Sequence, residues 1–142
     1  MASKLREIAD ALAVSLAAET WSITSTTVER KNWVQVEPEQ MQNPVVYVVP
    51  GGSEVTRIGR ADWQSDDSIT IYVGRHVSSD EEIDDMHDLA DELMVYIRST
   101  DLENTSTTPQ NVSIEINPDD ALTERNVWRA VIVATYRTLS TD

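Results

Sequence analysis

The chain has 142 residues, and 11 Lys and Arg stand against 25 Asp and Glu, so the formal charge is −14 at pH 7. This charge argues against a protein whose affinity comes from neutralising phosphates. The absence of cysteine excludes disulfides and thiolate metal ligands. No apolar run approaches the ~20 residues of a membrane span, so we expect a chain made in the cytosol, with no membrane partner. The length predicts a single domain over residues 1–142.

The first predicted element is an amphipathic helix from Ser3 to about Thr20. Ser3 can act as its N-cap, because a serine oxygen accepts hydrogen bonds from the first free backbone N–H groups. The apolar residues of this segment recur at the spacing of one helical face: Leu5, Ile8, Ala9, Leu12 and Leu16. The next stretch, Thr26–Val36, carries β-type residues at alternate positions and predicts a strand with one wetter face.

Two more strands are predicted before the middle of the chain. Pro44 and Pro50 bracket the apolar run Val45–Val49, which is too short for a helix and favours a buried strand. Apolar and polar residues alternate through Ser68–His76, which also predicts a strand. The segment between them, Gly51–Asp67, shows little periodicity, and the pattern leaves both a β-hairpin and a long loop open.

The strongest helical pattern lies in Ser79–Ser99. Ser79 and Glu82 have the Ser-x-x-Glu spacing of a capping box, which marks the start of a helix. Its apolar stripe is formed by Ile83, Met86, Ala90, Leu93, Met94 and Ile97. The opposite face is acidic, with Asp84, Asp85, Asp88, Asp91 and Glu92. A helix with one apolar stripe and one hydrated face is expected to cover a sheet.

The last part of the chain predicts two strands. A polar connection, Thr100–Asn111, precedes an alternating segment, Val112–Ile116. A second polar connection, Asn117–Asn126, leads into the longest strand candidate, Asn126–Leu139. The long strand is apolar at both parities in its middle, which indicates a central position in the sheet. We expect the two strands to pair as an antiparallel hairpin that closes the fold.

These elements predict an α+β fold. The expected sheet is antiparallel or mixed, with two amphipathic helices packed on one face and the closing β-hairpin at its end. Trp128 and Tyr136 share the parity of Ile132 on the last strand, so we expect both aromatic rings in the core.

No common catalytic signature is present. The chain lacks a Gly-rich phosphate loop, a Gly-x-Ser-x-Gly elbow and a His-Glu-x-x-His pair, so we expect neither catalysis nor a cofactor. His87 lies at helical spacing from Asp84, Asp88 and Asp91, and such a set can bind a divalent cation. The alternative is a solvated acidic helix face, and we favour it, leaving a metal-dependent enzyme or binding domain as the minor alternative.

Tryptophan and arginine are the residue types that most often anchor protein interfaces. Trp63 lies in a polar setting close to Arg60, and it predicts either an interface residue or a side chain that packs within its loop. Five arginines are expected to pair with acids on a neighbouring copy, which orients subunits more than it adds affinity: Arg57, Arg60, Arg75, Arg129 and Arg137. Trp33, on the more polar parity of its strand, is a further interface candidate.

The order of elements resembles the tail-terminator, or tail-completion, proteins of long-tailed bacteriophages. The similarity lies in DDSITIYVGRHVSSDEEIDDMHDLADELMVYIRS, in VSIEI after a polar loop, and in the final NVWRAVIVATYR. As an architecture it covers essentially the whole chain. The family has no catalytic signature, so no functional residue is carried over.

This resemblance implies a structural virion protein. Members form a ring, commonly a hexamer, that ends the tail tube and receives the neck, so the expected partners are further copies, the tail tube protein and a neck or head-completion protein. The expected location is the tail or neck of the virion, with the host cytoplasm during assembly. DNA would pass without specific binding, beside the acidic face if that face lines the lumen. Another head-tail connector or neck component is the alternative.

Overall fold

The computed structural model describes residues 4–23, 25–32, 42–99, 109–117, 122 and 126–141. Ser3, the predicted N-cap of the first helix, Trp33 and most of both polar connections fall outside these ranges. The described elements, in chain order, are α1 (Lys4–Ala18), β1 (Thr27–Arg30), β2 (Val45–Arg57), β3 (Asp62–His76), α2 (Asp80–Ser99), β4 (Pro109–Ile116) and β5 (Val127–Thr141).

The strands form one mixed sheet with the order β1-β2-β3-β5-β4. β1 pairs with β2 in parallel, and every other pair is antiparallel. β5 lies between β3 and β4, as the apolar residues at both parities predicted, and β4 and β5 form the predicted closing pair. The α+β prediction is confirmed.

Both helices cover the same face of the sheet. Their apolar residues join alternate residues of β2, β3 and β5 in one buried cluster, which includes Leu12 of α1, Leu93 of α2 and Ile71 of β3. The opposite face carries a smaller cluster in which Tyr47 and Val49 are buried. Because side chains alternate across a strand, this division follows directly from the period-two pattern of the sequence.

The predicted core aromatics, Trp128 and Tyr136, are both 0% exposed. Burial alone raises the pKa of the Tyr136 phenol above its ordinary value, because the phenolate would lose its hydration. Within the described part of the chain, the Tyr136 hydroxyl and the Trp128 indole nitrogen have no hydrogen-bond partner.

The start of α2 is capped from both sides. The Glu82 backbone N–H donates to Ser79 Oγ at 3.2 Å, as the capping-box spacing predicts. The Glu82 carboxylate reaches one residue further back than the usual box, and accepts a hydrogen bond from the Ser78 backbone N–H at 2.8 Å. That hydrogen bond, aided by the charge of Arg75, lowers the pKa of Glu82. Arg75 Nη2 lies 3.6 Å from the same carboxylate, which joins the end of β3 to α2.

Several predicted strand boundaries differ from the structure. β4 begins at Pro109 instead of Val112, and β5 ends at Thr141 instead of Leu139. β1 ends at Arg30, earlier than predicted, and positions 33–36 of that prediction lie outside the described residues. β2 continues through Pro50 to Arg57, and β3 begins at Asp62 instead of Ser68. The aperiodic segment is therefore a β-hairpin, and the long-loop alternative is wrong. Pro50 has no backbone N–H to donate to a neighbouring strand. It is tolerated because β1, on one side, has already ended, and because a bulge in the pairing with β3, on the other side, begins at Pro50.

Candidate interaction surfaces

The hairpin Gly51–Asp67, called the arm below, extends past the part of the sheet that the helices cover. Its apolar residues Val55 and Ile58 are 60% and 52% exposed, and Leu139, on the adjoining end of β5, is 65% exposed. Val55 pairs with Ser65 and therefore lies on the sheet face that carries the helices, whereas Leu139 lies on the opposite face. The arm and its β5 neighbour therefore present apolar side chains on both faces, which makes them a candidate interaction surface.

The tip of the arm is held by Arg57. Its guanidinium donates to the carbonyl oxygens of Gly59, at 2.9 Å, and of Arg60. The same guanidinium carbon lies 5.9 Å from the centroid of the Trp63 ring, a cation–π contact. The Ile58 backbone N–H closes the turn by donating to the Asp62 carbonyl at 3.0 Å. The side chain of Arg57 is thus occupied by its own turn, and the tip has a defined shape.

Two of the arginines predicted to pair with a neighbouring copy, Arg75 and Arg137, instead form ion pairs with Glu82 and Asp66 of the same chain. The predicted interface residues Arg57, Arg60, Trp63 and Trp33 divide between the arm tip and an undescribed segment. Arg57, Arg60 and Trp63 come together at the end of the arm, where Arg60 is exposed and Trp63 is half-buried under Arg57. Trp33 lies outside the described residues, so its predicted role stays a prediction.

A buried carboxylate lies at the base of the arm. The acidic side chain of Asp67 is 1% exposed and faces the helix side of the sheet. Its Oδ1 accepts hydrogen bonds from Ser53 Oγ at 2.5 Å and from Ser65 Oγ at 3.3 Å. Tyr136 is its pairing partner on β5. Because a buried carboxylate must be hydrogen-bonded to be tolerated, these two serines hold both arm strands at a common point.

A bulge at the junction of β2 with the arm changes the facing of β2. Val46 and Val48 face the helices before the bulge, and Ser53 and Val55 do so after it. A Cβ on Gly51 would lie 2.7 Å from the Ser68 carbonyl oxygen, closer than real contacts allow, so this position requires glycine.

The acidic face predicted on α2 is present in the structure. Asp84, Asp85, Asp88 and Asp91 are exposed. Glu92 lies at the border of this face and is half-buried. It accepts hydrogen bonds from the Ser22 backbone N–H, at 3.1 Å, and from the Ser22 hydroxyl, which ties the chain after α1 to α2.

His87 is placed against an aromatic ring of the core. Its ring centroid lies 5.4 Å from that of Trp128, with an interplanar angle of 78°. Among the described residues, no group of three or more His, Asp or Glu side chains converges as metal ligands do. The predicted alternative of a divalent-cation site on Asp84, Asp88 and Asp91 therefore has no geometric support in this part of the chain.

A groove of about 370 Å³ lies between the end of α1 and the outer side of α2. Trp21 and Tyr96 form its aromatic wall, with ring centroids 5.5 Å apart in an edge-to-face arrangement. The Tyr96 hydroxyl lies 2.7 Å from Ser15 Oγ, and the Trp21 indole N–H donates to the Leu16 carbonyl at 3.1 Å. Both aromatic side chains are thus fixed by α1. The rim is acidic, and the remaining lining includes Glu19, Asp91, Glu92 and Val95.

The sequence patterns alone did not indicate this groove. Trp21 lies in a Ser- and Thr-rich stretch with no periodicity, and Tyr96 falls beside the apolar stripe of α2. The sequence does carry a signal for the exposed residue Ile58, because it is an apolar residue between Arg57 and Arg60 in a polar segment. An apolar residue at a predicted hairpin tip is a usable signal for an interface.

The comparisons with known proteins concern the fold. No family model matches the chain, and no curated protein matches it. Among solved structures, 28 chains match. One is a chain of the "Virion of native gene transfer agent (GTA) particle", with a TM-score of 0.59 and 12% sequence identity, and the match covers 98% of this chain and 100% of that one.

The two chains therefore share a fold over essentially their whole lengths. At this identity the likeness shows the fold alone: a mixed five-stranded sheet with two helices on one face. Neither of the two described helices is both long and apolar enough to cross a membrane.

Proposed function

We propose that this chain is a structural subunit of a tailed-bacteriophage virion, and that it forms a ring that terminates the tail tube and joins it to the neck or head. The observation that carries the proposal is the full-length match in fold to a chain of a gene transfer agent virion. The resemblance to tail-terminator proteins adds the particular role, with a sixfold ring as the expected assembly.

The surface of the subunit supports assembly over catalysis. Val55 and Ile58 of the arm, and Leu139 on the adjoining end of β5, leave apolar area exposed in a strongly charged chain. A complex in which a partner covers such apolar area is stabilised, because the area is removed from water. A closed ring covers such a feature in every copy, because each subunit presents the arm to a neighbour.

The charge fits a conduit for DNA. A formal charge of −14 argues against DNA affinity gained by counterion release, and acidic surfaces repel a duplex. DNA would pass the ring without specific binding, and the acidic face of α2 lines either the lumen or the outer solvent. The proposed location is the tail or neck of the virion, after assembly in the host cytoplasm.

Negative-stain electron microscopy of the purified protein, alone and with its candidate tube protein, tests this function. Sixfold rings, or caps confined to tube ends, are the expected result. Particles that bind a head-completion protein and leave tube ends bare would assign the chain to another connector or neck component. Monomers that decorate neither partner at high concentration would contradict a virion role.

A further inference from the structure

The arm tip and the helix groove have complementary chemistry. The tip offers the exposed apolar side chain of Ile58 beside the exposed guanidinium of Arg60. The groove offers the half-buried ring of Tyr96 and the side chain of Val95, which is 44% exposed, under an acidic rim, while Trp21 behind them is only 7% exposed. In the subunit itself the two do not meet, since Ile58 stays exposed and the groove is open.

We propose that the arm tip of one copy docks into the α1–α2 groove of the next copy, an inference that rests on the ring-forming function proposed above. Ile58 packs against Tyr96 and Val95, which buries apolar area on both partners. Arg60 enters the acidic rim, where its planar guanidinium pairs with carboxylates and stacks on an aromatic ring.

The charge distribution favours a second copy as the occupant. Arg57 is held by its own turn, so Arg60 is the cation that the tip presents outward. The rim carries Glu19, Asp91 and Glu92, and among the described residues Glu92 accepts hydrogen bonds from Ser22. The basic tip of one copy attracts the acidic rim of another copy, whereas two tips repel each other and so do two rims.

Such a contact joins two different surfaces, so it repeats head to tail and closes into a ring when the rotation allows. It also divides the acidic face of α2. Asp91 and Glu92 become part of the boundary between subunits. Asp84, Asp85 and Asp88, toward the start of the helix, stay free to face the lumen or solvent.

Disulfide capture tests the contact directly, because the natural chain has no cysteine and hence no background. The variant Ile58→Cys/Val95→Cys places one thiol on the tip and one in the groove. On mild oxidation we expect a ladder of covalent multimers that ends at the ring size seen by microscopy. The matched control is Ile116→Cys/Val95→Cys, since Ile116 is 40% exposed on β4, near the sheet end opposite the arm. It should yield no ladder.

Single variants, mixed in equal amounts, separate this inference from the proposed function. Ile58→Cys mixed with Val95→Cys should give one covalent heterodimer. Rings or tube caps without this crosslink would overturn the arm–groove contact and leave the terminator function standing. A ladder without tube capping would support the contact and contradict the terminator role. Neither rings nor crosslinks would overturn both.

A charge reversal addresses the tube protein as a rival occupant. Arg60→Glu should abolish rings of the protein alone, and the combination Arg60→Glu/Asp91→Arg should restore them at least in part. If Val95→Lys instead leaves the rings intact and removes only tube capping, the groove takes the tube protein, and the proposed contact is overturned.

Discussion

The Arg137 guanidinium on β5 donates a hydrogen bond of 2.9 Å from Nε to Oδ1 of Asp66, its direct cross-strand neighbour on β3. The pair lies on the sheet face away from the helices, beside the base of the arm. It therefore joins the arm to β5 on that face, while Asp67 joins the two arm strands on the other.

This pair predicts a pH dependence. The hydrogen bond from Arg137, with its charge, lowers the pKa of Asp66 below the ordinary value of 3.8. A lowered folded-state pKa contributes stability that is present above pH 3.8 and is lost as the pH falls through the lower value. Thermal unfolding at pH 7 and at pH 2–4 should show a smaller acid-induced loss for Asp66→Asn than for the natural chain.

Arg137→Gln removes the other partner of the same ion pair. It should reduce the acid-induced loss of stability by the same amount as Asp66→Asn. The double variant should then behave like either single one, since only one interaction is lost. If the acid loss is unchanged in all three variants, other carboxylates govern it.

The bulge predicts opposite effects for two adjacent glycines. Gly51→Ala places a Cβ against the Ser68 backbone carbonyl, and overpacking of this kind costs about 1–3 kcal/mol of unfolding free energy. Gly52→Ala meets nothing within 4 Å and should be neutral or gain about 0.4–1 kcal/mol through the unfolded state. Urea unfolding of both variants measures the difference. Equal stabilities would show that the arm does not need the close approach at Gly51.

The Tyr136 hydroxyl has no hydrogen-bond partner among the described residues, so its removal should not destabilise the fold. A buried polar group without a partner costs about 1–3 kcal/mol, so Tyr136→Phe should leave the unfolding free energy at pH 7 unchanged or raise it by about 1 kcal/mol. A clear loss of stability would reveal a hydrogen bond beyond the described residues.

The same tyrosine should weaken the fold in alkali. Burial raises the pKa of the Tyr136 phenol above 10.0 in the folded state, so the folded chain holds the proton more tightly than the unfolded chain does. The stability from this group is complete below pH 10.0 and declines as the pH rises above it. Tyr136→Phe should lose less stability than the natural chain between pH 9 and pH 11, measured by denaturant unfolding.

The arm tip predicts variants that impair assembly without unfolding the subunit. Arg60→Ala removes an exposed side chain, and the monomer should stay within about 0.5 kcal/mol of the natural stability while ring formation falls. Trp63→Ala should also reduce ring formation. In addition it should lower the unfolding free energy of the monomer by about 0.5–1 kcal/mol, because it removes the contact with Arg57. Sedimentation velocity and thermal unfolding, run in parallel, separate the two effects.

Arg6→Ala, on the exposed surface of α1, is the charge-matched control and should leave assembly unchanged. If Trp63→Ala unfolds the monomer, its ring packs as part of the fold, and the interface assignment at that position fails.

Residue patterns within short windows were sufficient for the helices. The spacing of Ile8, Leu12 and Leu16 and the capping serine of α2 act within a few residues of one another, so the sequence alone determined where each helix lies and which side it buries. The alternation through β3 and β5 likewise determined that Trp128 and Tyr136 face the core.

The tertiary structure alone decided how those elements combine. The parallel pairing of β1 with β2, the hairpin form of the arm and the bulge at Gly51 depend on partners far along the chain, which local patterns do not encode. The groove depends on Trp21 meeting Tyr96, two residues separated by the first three strands. The burial of Asp67 could not be predicted from the sequence either. An acidic residue in a polar segment is expected to be solvated, and only the fold brings two serines within hydrogen-bonding distance of it.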